Sequence, residues 1–495
     1  MMAAATLQPG MPLSQLLAGW GSVPIDADVH VTGVASDSRQ VKPGDVFLAC
    51  RGSRADGSDF IADALHNGAI AVVLDGKVPE TLVRQNIAAV AIDDLPHHIG
   101  KIAARFYGDP SAAMQVVGIT GTNGKTSITS YCAQALAAAG RRSGLFGTLG
   151  YGVYGDLQSG NTTTPDPITL QRLLAEMHAD AVGYVVMEVS SHALEQRRVA
   201  GTAIDIAVLT NLSRDHLDYH ADMIAYGAAK RRLFEWPGLQ YGLINRDDAF
   251  GRELLASQDS RWLSYSLTDR HADLFATVVE CGRARMRLEF RTPWGNGTAT
   301  VGLVGDFNAA NILATLGVLC LLGLSWETAL DSLAAIGPAA GRMELLGGDT
   351  KPLVVVDYAH TPDALAQTLA SLRSDCRGAL WCVFGCGGER DTGKRPLMAT
   401  AAEQQADQLI ITSDNPRAED PHAIIQAIKR GLARPDNPRI EPDRAEAIAM
   451  AIREAANEDT VLIAGKGHET YQEVAGVRHP FSDSQVAETC LQART

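Results

Sequence analysis

Short, almost continuous apolar runs recur along the chain, each closed by a cluster of polar or glycine residues and followed by a stretch with helical spacing. They are DVFLAC (45–50), AIAVVL (69–74), QVVGIT (115–120), YVVMEV (184–189), IAVLTNL (206–212), YGLINR (241–246), LVVVDY (353–358), LWCVFG (380–385), LIITSD (409–414) and VLIAGKG (461–467). Runs without polar alternation fit strands covered on both faces, as in a parallel sheet flanked by helices. Helical patterns between them include FIADALHNG, SITSYCAQALAAAG (closing at Gly140) and PDALAQTLASLR. The pattern therefore predicts an α/β fold.

The runs fall into three groups. Residues 1–110 predict a small α/β domain, 111–341 a second with a mostly parallel sheet, and 342–495 a doubly wound, Rossmann-like third whose ligands would sit at the C-terminal ends of its strands. A length of 495 residues agrees with roughly 150 per domain. The longest apolar stretch, Ile312 to Leu324, is well short of the ~20 residues that cross a bilayer and predicts a buried helix. The tetrapeptide Asp-Asn-Pro-Arg occurs twice, at 414–417 and 436–439. The first copy follows a predicted strand directly, whereas the second lies in the Pro-rich ARPDNPRIEP and predicts a surface loop.

Composition narrows the function classes. The chain is 46% apolar and 20% charged, with net charge −14, which suits a soluble globular protein and disfavours duplex nucleic acid as a partner. An anionic substrate would need a local basic pocket. The start, MMAAATLQPG, lacks a basic region and a long apolar core, so the expectation is a cytoplasmic protein without membrane insertion. Cys376, Cys382 and Cys386 have neither zinc-ligand spacing nor neighbouring His, and are expected to be free thiols.

The strongest local signal is Gly121-Thr122-Asn123-Gly124-Lys125-Thr126-Ser127 between a predicted strand and helix. Backbone N–H groups and a helix N-terminus there can cradle phosphates, with Lys125 on the β/γ-phosphates and Thr126 on Mg²⁺. The strict phosphate-loop template is broken, since Ile119 stands at its first Gly. Glu188 ends an apolar run and offers a hard oxygen ligand. His216 lies in the charge-rich loop SRDHLDYH after another run and is a candidate second ligand.

GTNGKTS, EVSSHAL, TNLSRDHLDYH, GRME, DYAHTPDAL, FGCGGERDTGKRP, SDNPR and AGKGHE occur in the order found in the Mur ligases of peptidoglycan synthesis, and the chain resembles that family over essentially its whole length. The resemblance implies a nucleotide-sugar domain, a phosphate-loop ATPase domain and a Rossmann-like amino-acid domain, in that order. It implies an ATP-dependent ligation in which the D-Glu carboxylate of UDP-N-acetylmuramoyl-L-alanyl-D-glutamate becomes an acyl phosphate and meso-diaminopimelate then forms the amide. Thr126 and Glu188 would bind one Mg²⁺ and His216 a second, with Lys230, as a carbamate, an anionic metal-bridging ligand. Without the family, Lys230 reads as an exposed lysine beside Arg231 and Arg232.

The same resemblance implies that Asn311, Arg342, Asp357 and His360 join the phosphate loop around ATP. Ser36, Ser38, Ser53, Arg54 and Ala55, with Asn161, Thr162, Thr163, Ser190, Gln196 and Arg198, would hold the nucleotide-sugar peptide. Diaminopimelate would meet Arg390, Asp414, Asn415, Pro416, Arg417, Gly465 and Glu469. Its distal carboxylate suits a forked guanidinium, which a lysine acceptor would leave unpaired. A lysine-adding relative, a folylpolyglutamate synthetase-like enzyme and a phosphate-loop regulatory ATPase are the competing readings. SDNPR, the N-terminal domain, and the joint presence of DNPR, GRME and GKGHE argue against them in turn.

Overall fold

A computed structural model describes residues 10–52, 55–160, 162–257, 259–282, 285–348 and 350–494. The chain forms two compact units, one of Met1–Gly118, Arg141–Asp205 and Glu235–Leu239, the other of Ile119–Gly140, Ile206–Phe234 and Gln240–Thr495. Among the described residues no helix is long and apolar enough to cross a membrane.

In the first unit, β1 (Gly33–Ala35), β2 (Asp45–Ala49), β3 (Ala71–Asp75) and β4 (Ala88–Ile92) form a parallel sheet in that order. Val46, Leu48 and Val73 pack into the core on one face, and Phe47, Val72 and Leu74 into that on the other. Burial on both faces explains why these runs lack polar alternation. The unit continues with β5 (Gln115–Thr120), β6 (Ser143–Gly147), β7 (Gly150–Val153), β8 (Asp156–Gln158) and β9 (Tyr184–Glu188), in the order β8-β7-β6-β9-β5. β6 and β9 are parallel, whereas β7 and β8 fold back antiparallel at the edge.

The second unit takes over at the end of β5 and runs into α1 (Lys125–Ala138). Strands β10 (Ile206–Leu209), β11 (Tyr241–Asn245), β12 (Trp262–Ser266) and the start of β13 (Leu274–Gly282) pair in parallel. From there the pattern changes, because β13, β14 (Arg285–Thr292) and β15 (Gly295–Val301) are antiparallel. Met286, Leu288 and Phe290 point inward while Arg285, Arg287, Glu289 and Arg291 are exposed, the alternation of a one-sided sheet. Helix α2 spans Met223–Arg231, and α3 (Asp306–Leu321) is buried on every side, matching the helix expected around Ile312.

The remaining strands are β16 (Glu344–Gly347), β17 (Leu353–Asp357), β18 (Leu380–Phe384), β19 (Gln408–Ile411), β20 (Arg439–Ile440) and β21 (Thr460–Ala464). Their order is β16-β17-β21-β18-β19-β20, parallel except for β16. Helices α4 (Pro362–Asp375), α5 (Lys394–Gln405), α6 (Arg444–Glu454) and α7 (Asp483–Ala493) cover this sheet, and β22 (Tyr471–Val474) pairs with β23 (Val477–Pro480) as a hairpin. Cys382 and Cys386 pack in its core, where burial raises both thiols. Asp436, Asn437 and Pro438 of the second Asp-Asn-Pro-Arg copy lie in the loop expected there, and only its last residue departs from it, since Arg439 and Ile440 pair in parallel with Ile410 and Ile411 at the sheet edge. Both remain exposed, and Arg439 pairs with Glu454 at the surface.

Candidate functional site

Two glycines shape the phosphate loop. Gly121 (φ +145°) has no room for a side chain, because a Cβ would lie 1.8 Å from Thr210 Oγ1; Gly124 (φ +87°) starts α1 in the left-handed region. The loop is stitched to the end of β10. Thr122 N–H donates to Asn211 O (2.9 Å), Asn123 N–H to Asn211 Oδ1 (2.9 Å) and Thr210 Oγ1 to Asn123 O (2.6 Å). The missing first Gly of the phosphate-loop template is thus compensated by a second loop that fixes the backbone. Lys125 Nζ bends back to donate to Gly121 O (3.0 Å) and Thr122 O (2.9 Å).

Lys230 is buried, not the exposed lysine that its neighbours Arg231 and Arg232 suggest. Its Nζ donates to the same Gly121 O (2.7 Å) and lies 4.4 Å from the Tyr226 ring centre. Burial, and then the Lys125 charge, hold this amine well below the ordinary lysine range, with Asp215 opposing. A neutral amine is the form that reacts with CO₂, so the donor chemistry fits a carbamate. Thr126 accepts a hydrogen bond from Arg342 Nη2 (3.0 Å). Among the described residues no cluster of three or more His, Cys, Asp or Glu gathers as a metal site. Of the residues expected to hold Mg²⁺, Thr126, His216 and Lys230 belong to the second unit and Glu188 to the first.

His216 adopts a left-handed conformation (φ +55°), and its Nε2 lies 3.5 Å from Asp215 Oδ2. That carboxylate also meets His360 Nε2 (3.4 Å) and Lys394 Nζ (3.3 Å). Burial alone would raise Asp215, but the His360 hydrogen bond and the charges of Lys394, His216 and His360 hold it well below the usual carboxylate range. Beside it, Arg214 forks onto Asp391 (2.9 and 3.1 Å), and Arg390 Nη1 lies 3.8 Å from Asp218 Oδ2. The loop after β10 is therefore sewn to the segment ahead of α5. Sequence reasoning singled out His216, His360 and Arg390 but missed Asp215, Lys394 and the Arg214–Asp391 pair. The charge density of SRDHLDYH and ERDTGKR was the available signal.

A cavity of about 820 Å³ is lined by Asn123, Gly124, Ser127, Asn311, Arg342 and Asp357, six of the expected ATP residues, together with residues of β12, β13 and α4. Arg342 stacks on Tyr358 (4.4 Å), and its Nε is buried without a hydrogen-bond partner. An unsatisfied guanidinium N–H on the wall of a cavity is a donor suited to an anionic oxygen. Asp357 accepts from Met343 N–H (2.8 Å) and Ala359 N–H (2.9 Å), and burial pushes its carboxyl up. His360 lies outside the cavity lining, on Asp215.

Residues expected to meet the amino acid come together at the ends of β19 and β21. Asn415 Nδ2 donates to Glu469 Oε2 (2.7 Å), while Asn415 Oδ1 accepts from buried Lys466 Nζ (3.0 Å), which also reaches Glu469 Oε2 (2.7 Å). Gly465 (φ +118°) leaves space for Asp414, whose Oδ2 would be 2.6 Å from a Cβ at that position. Pro416 O accepts from Glu419 N–H (3.0 Å), closing the turn. Arg417, at φ +52°, donates through Nη1 to Gly388 O (2.5 Å), two residues from Arg390. Lys466 was not singled out, although it lies inside the AGKGHE motif.

In the first unit, Glu188 is buried and accepts from Thr148 N–H (2.8 Å) and Thr148 Oγ1 (3.3 Å); the latter lies 3.4 Å from Thr163 Oγ1. Ser190 N–H donates to Thr164 Oγ1 (3.3 Å) and Arg198 Nη1 to Thr164 O (3.1 Å), while Gln196 Oε1 accepts from Arg198 Nε (3.0 Å). Thr163, Ser190, Gln196 and Arg198 thus surround one turn, with Thr162 two residues before Thr164 and bonded to its carbonyl (2.8 Å). Ser36 is exposed and Ser38 buried in the turn after β1, and Ala55 is exposed beyond β2. Ser53, Arg54 and Asn161 lie outside the described residues.

Residues 30–107 match the model of the Mur ligase family catalytic domain, 119–319 the Mur ligase middle domain and 341–467 the Mur ligase glutamate ligase domain. The chain is 50% identical over 469 residues to the UDP-N-acetylmuramoyl-L-alanyl-D-glutamate–2,6-diaminopimelate ligase of Pseudomonas aeruginosa, covering 94% of this chain and 96% of that protein. It is 47% identical over 488 residues to the enzyme of the same name from Coxiella burnetii, covering 97% and 100%. A solved structure of a ligase with this name superimposes with a TM-score of 0.71 at 35% identity, over 98% of this chain and 99% of that one. Matched by three successive domain models along most of its length, and by these relatives almost end to end, the chain belongs to the Mur ligase family.

Proposed function

We propose that this protein is an ATP-dependent ligase that adds meso-diaminopimelate to UDP-N-acetylmuramoyl-L-alanyl-D-glutamate through an acyl phosphate, in the assembly of cell-wall precursors that sustains cell shape and division. The observation that carries the reading is the joint presence of a phosphate loop, Arg342 and Asp357 on one cavity and of the Asn415–Glu469 hydrogen bond beside Arg417, whose guanidinium is held on Gly388 O. The cytoplasm, where ATP and nucleotide-sugars occur together, is the compartment this chemistry requires. The domain boundaries that go with the reading are 1–110, 111–341 and 342–495.

The glutamyl carboxylate oxygen attacks the γ-phosphorus and ADP leaves; the amine then attacks the acyl carbon, and phosphate leaves from the tetrahedral intermediate. The first step brings two anions together, so positioning and positive charge supply most of the rate. Lys125 and the N–H groups opening α1 would face the phosphates, with Asn311 and Ser127 beside them. Arg342, with a free Nε donor, would bind a phosphate oxygen. Asp357 and His360 fix the segment after β17 that reaches the nucleotide. Mg²⁺ would be held by Thr126, His216, Glu188 and Lys230 as its carbamate, and would neutralise phosphate charge.

Thr162, Thr163, Ser190, Gln196 and Arg198, with Ser36, Ser38 and Ala55, would hold the nucleotide-sugar peptide. Arg417, Arg390 and Asp414 would read the distal end of diaminopimelate. The test is phosphate release from ATP with Mg²⁺ and the UDP-dipeptide, with product mass, comparing diaminopimelate, lysine and no amino acid. Release and amide only with diaminopimelate supports the reading; release with lysine discards the acceptor assignment. Release indifferent to all three makes the protein a regulatory ATPase.

A further inference from the structure

Arg444 opens helix α6 and is fully buried, with a side-chain exposure of 0%, as is that of its partner Asp483 at the start of α7. Local rules argue against both choices. A cation at a helix N-terminus opposes the helix dipole, and an ion pair in the interior is often matched or bettered in stability by apolar residues of similar volume. A residue that breaks local preference and still finds an acceptor for each of its three guanidinium nitrogens points to a role beyond its own helix.

The guanidinium forks onto Asp483, Nε to Oδ1 at 2.7 Å and Nη2 to Oδ2 at 2.8 Å. Its other contacts run to two main-chain oxygens, Nη2 to Ala464 O (2.9 Å) and Nη1 to Ser413 O (3.3 Å). Ser413 is the residue before Asp414-Asn415-Pro416-Arg417, and Ala464 the residue before Gly465-Lys466-Gly467-His468-Glu469. Strands β19 and β21, which lead into these loops, are not neighbours, because β18 lies between them. The two strands therefore share no ladder hydrogen bonds; Arg417 instead bridges the hairpin beyond Glu469, through Arg417 N–H to Glu473 O (3.0 Å) and Ala475 N–H to Arg417 O (2.7 Å), which leaves the spacing at the strand ends themselves to side chains.

We propose that Arg444, held by Asp483, is a positioning residue for the amino-acid acceptor: it straps the two loops across the intervening strand and sets the spacing of Asn415 and Arg417 against Glu469. The inference rests on the acceptor reading above. Only a planar, forked cation can serve two carboxylate oxygens and two divergent carbonyls together. Lysine, as a point charge, can balance Asp483 but not reach all four oxygens. The Asn415–Glu469 hydrogen bond (2.7 Å) is the contact whose geometry this spacing sets, and Gly385 and Gly465 keep the ground between the loops clear, since a Cβ at 385 would lie 2.4 Å from Thr412 O.

The test compares Arg444→Lys, Arg444→Met and the double variant Arg444→Met/Asp483→Leu with the wild type. Arg444→Met alone strands a buried carboxylate and is expected to lower the melting temperature; the double variant removes both charges and should regain it. The strap predicts that Arg444→Lys and the double variant raise KM for the amino acid at least tenfold while KM for ATP stays within twofold. It also predicts faster hydrogen exchange of backbone amides 414–417 and 465–469, with 121–127 unchanged. A double variant with wild-type KM for the amino acid and wild-type exchange in both loops would overturn the proposal, leaving the pair a purely structural one. Failure of the acceptor reading would show separately, as a wild type that ligates lysine in place of diaminopimelate; the KM ratios are then read with lysine, and the exchange measurement needs no substrate.

Discussion

Asp215→Asn tests the seam between the loop after β10 and the segment ahead of α5. The side chains of Asp215 and Lys394 are 6% and 7% exposed, so the substitution leaves a buried ammonium facing a neutral amide. Breaking a buried pair from one side costs about 3–5 kcal/mol. An amide oxygen still accepts one hydrogen bond, which places this variant at about 3 kcal/mol, the lower end of that range. Lys394→Met on the Asp215→Asn background removes the stranded charge, so the two changes together should cost less than their sum by about 1–3 kcal/mol. Urea unfolding followed by far-UV circular dichroism measures all three. The pH dependence has a definite sign. The folded carboxyl is held below its unfolded value of about 3.9, so its contribution is complete above about pH 5 and is lost as the pH falls through the folded value. The gap between wild type and Asp215→Asn should thus remain open across neutral pH and close only in acid, as the pH falls through the folded value. A variant with the wild-type urea midpoint at pH 7, or a gap that grows below pH 4, would refute the buried-pair reasoning.

Two further outcomes follow from the site. Lys230→Ala should abolish amide formation, with partial return on adding formate or acetate, and the wild type should show a carbamate signal by ¹³C NMR in labelled bicarbonate. Because burial and Lys125 favour the neutral amine, that signal should persist at pH values where an exposed lysine gives none; full activity in Lys230→Ala refutes the assignment. Arg417→Lys should raise KM for diaminopimelate at least tenfold and leave KM for ATP unchanged. Arg439→Lys, at an exposed edge pair with Glu454, should shift neither by more than about twofold, within the roughly 0.5 kcal/mol usual for surface changes.

What the sequence made legible was whatever rests on neighbours along the chain. QVVGIT, YVVMEV and LWCVFG are strands because both faces are buried, and GTNGKTS joins strand to helix as its glycines require. The antiparallel extension that follows β12 carries its own mark in the alternation of RMRLEFRT, which differs from the continuous apolar runs of the parallel strands. Arg439 entered a strand because an exposed parallel edge accepts any extended backbone, while its side chain reaches Glu454 and the face of Trp381, neither of them near it in sequence. Asp215, Lys394, Arg444 and Asp483 were not legible. Their roles depend on partners 179 and 39 residues away, and a charged residue in a polar stretch carries no local mark of burial. Lys230 shows the same limit, since nothing in AAKRRLF says that one of three cations faces inward.

The Asp215 cluster also bears on how the chain is made. Lys394 follows Asp215 by 179 residues, so at about 5–20 residues per second the ribosome delivers it roughly 10–35 s after the carboxylate has emerged. For that interval the loop carrying His216 has neither its lysine nor, until residue 360, its second imidazole. A nascent chain released early would hold the phosphate loop and lack the partners that fix the loop carrying Asp215 and His216. Activity should therefore appear during synthesis only after residue 394 has emerged and the Asp215 cluster has closed.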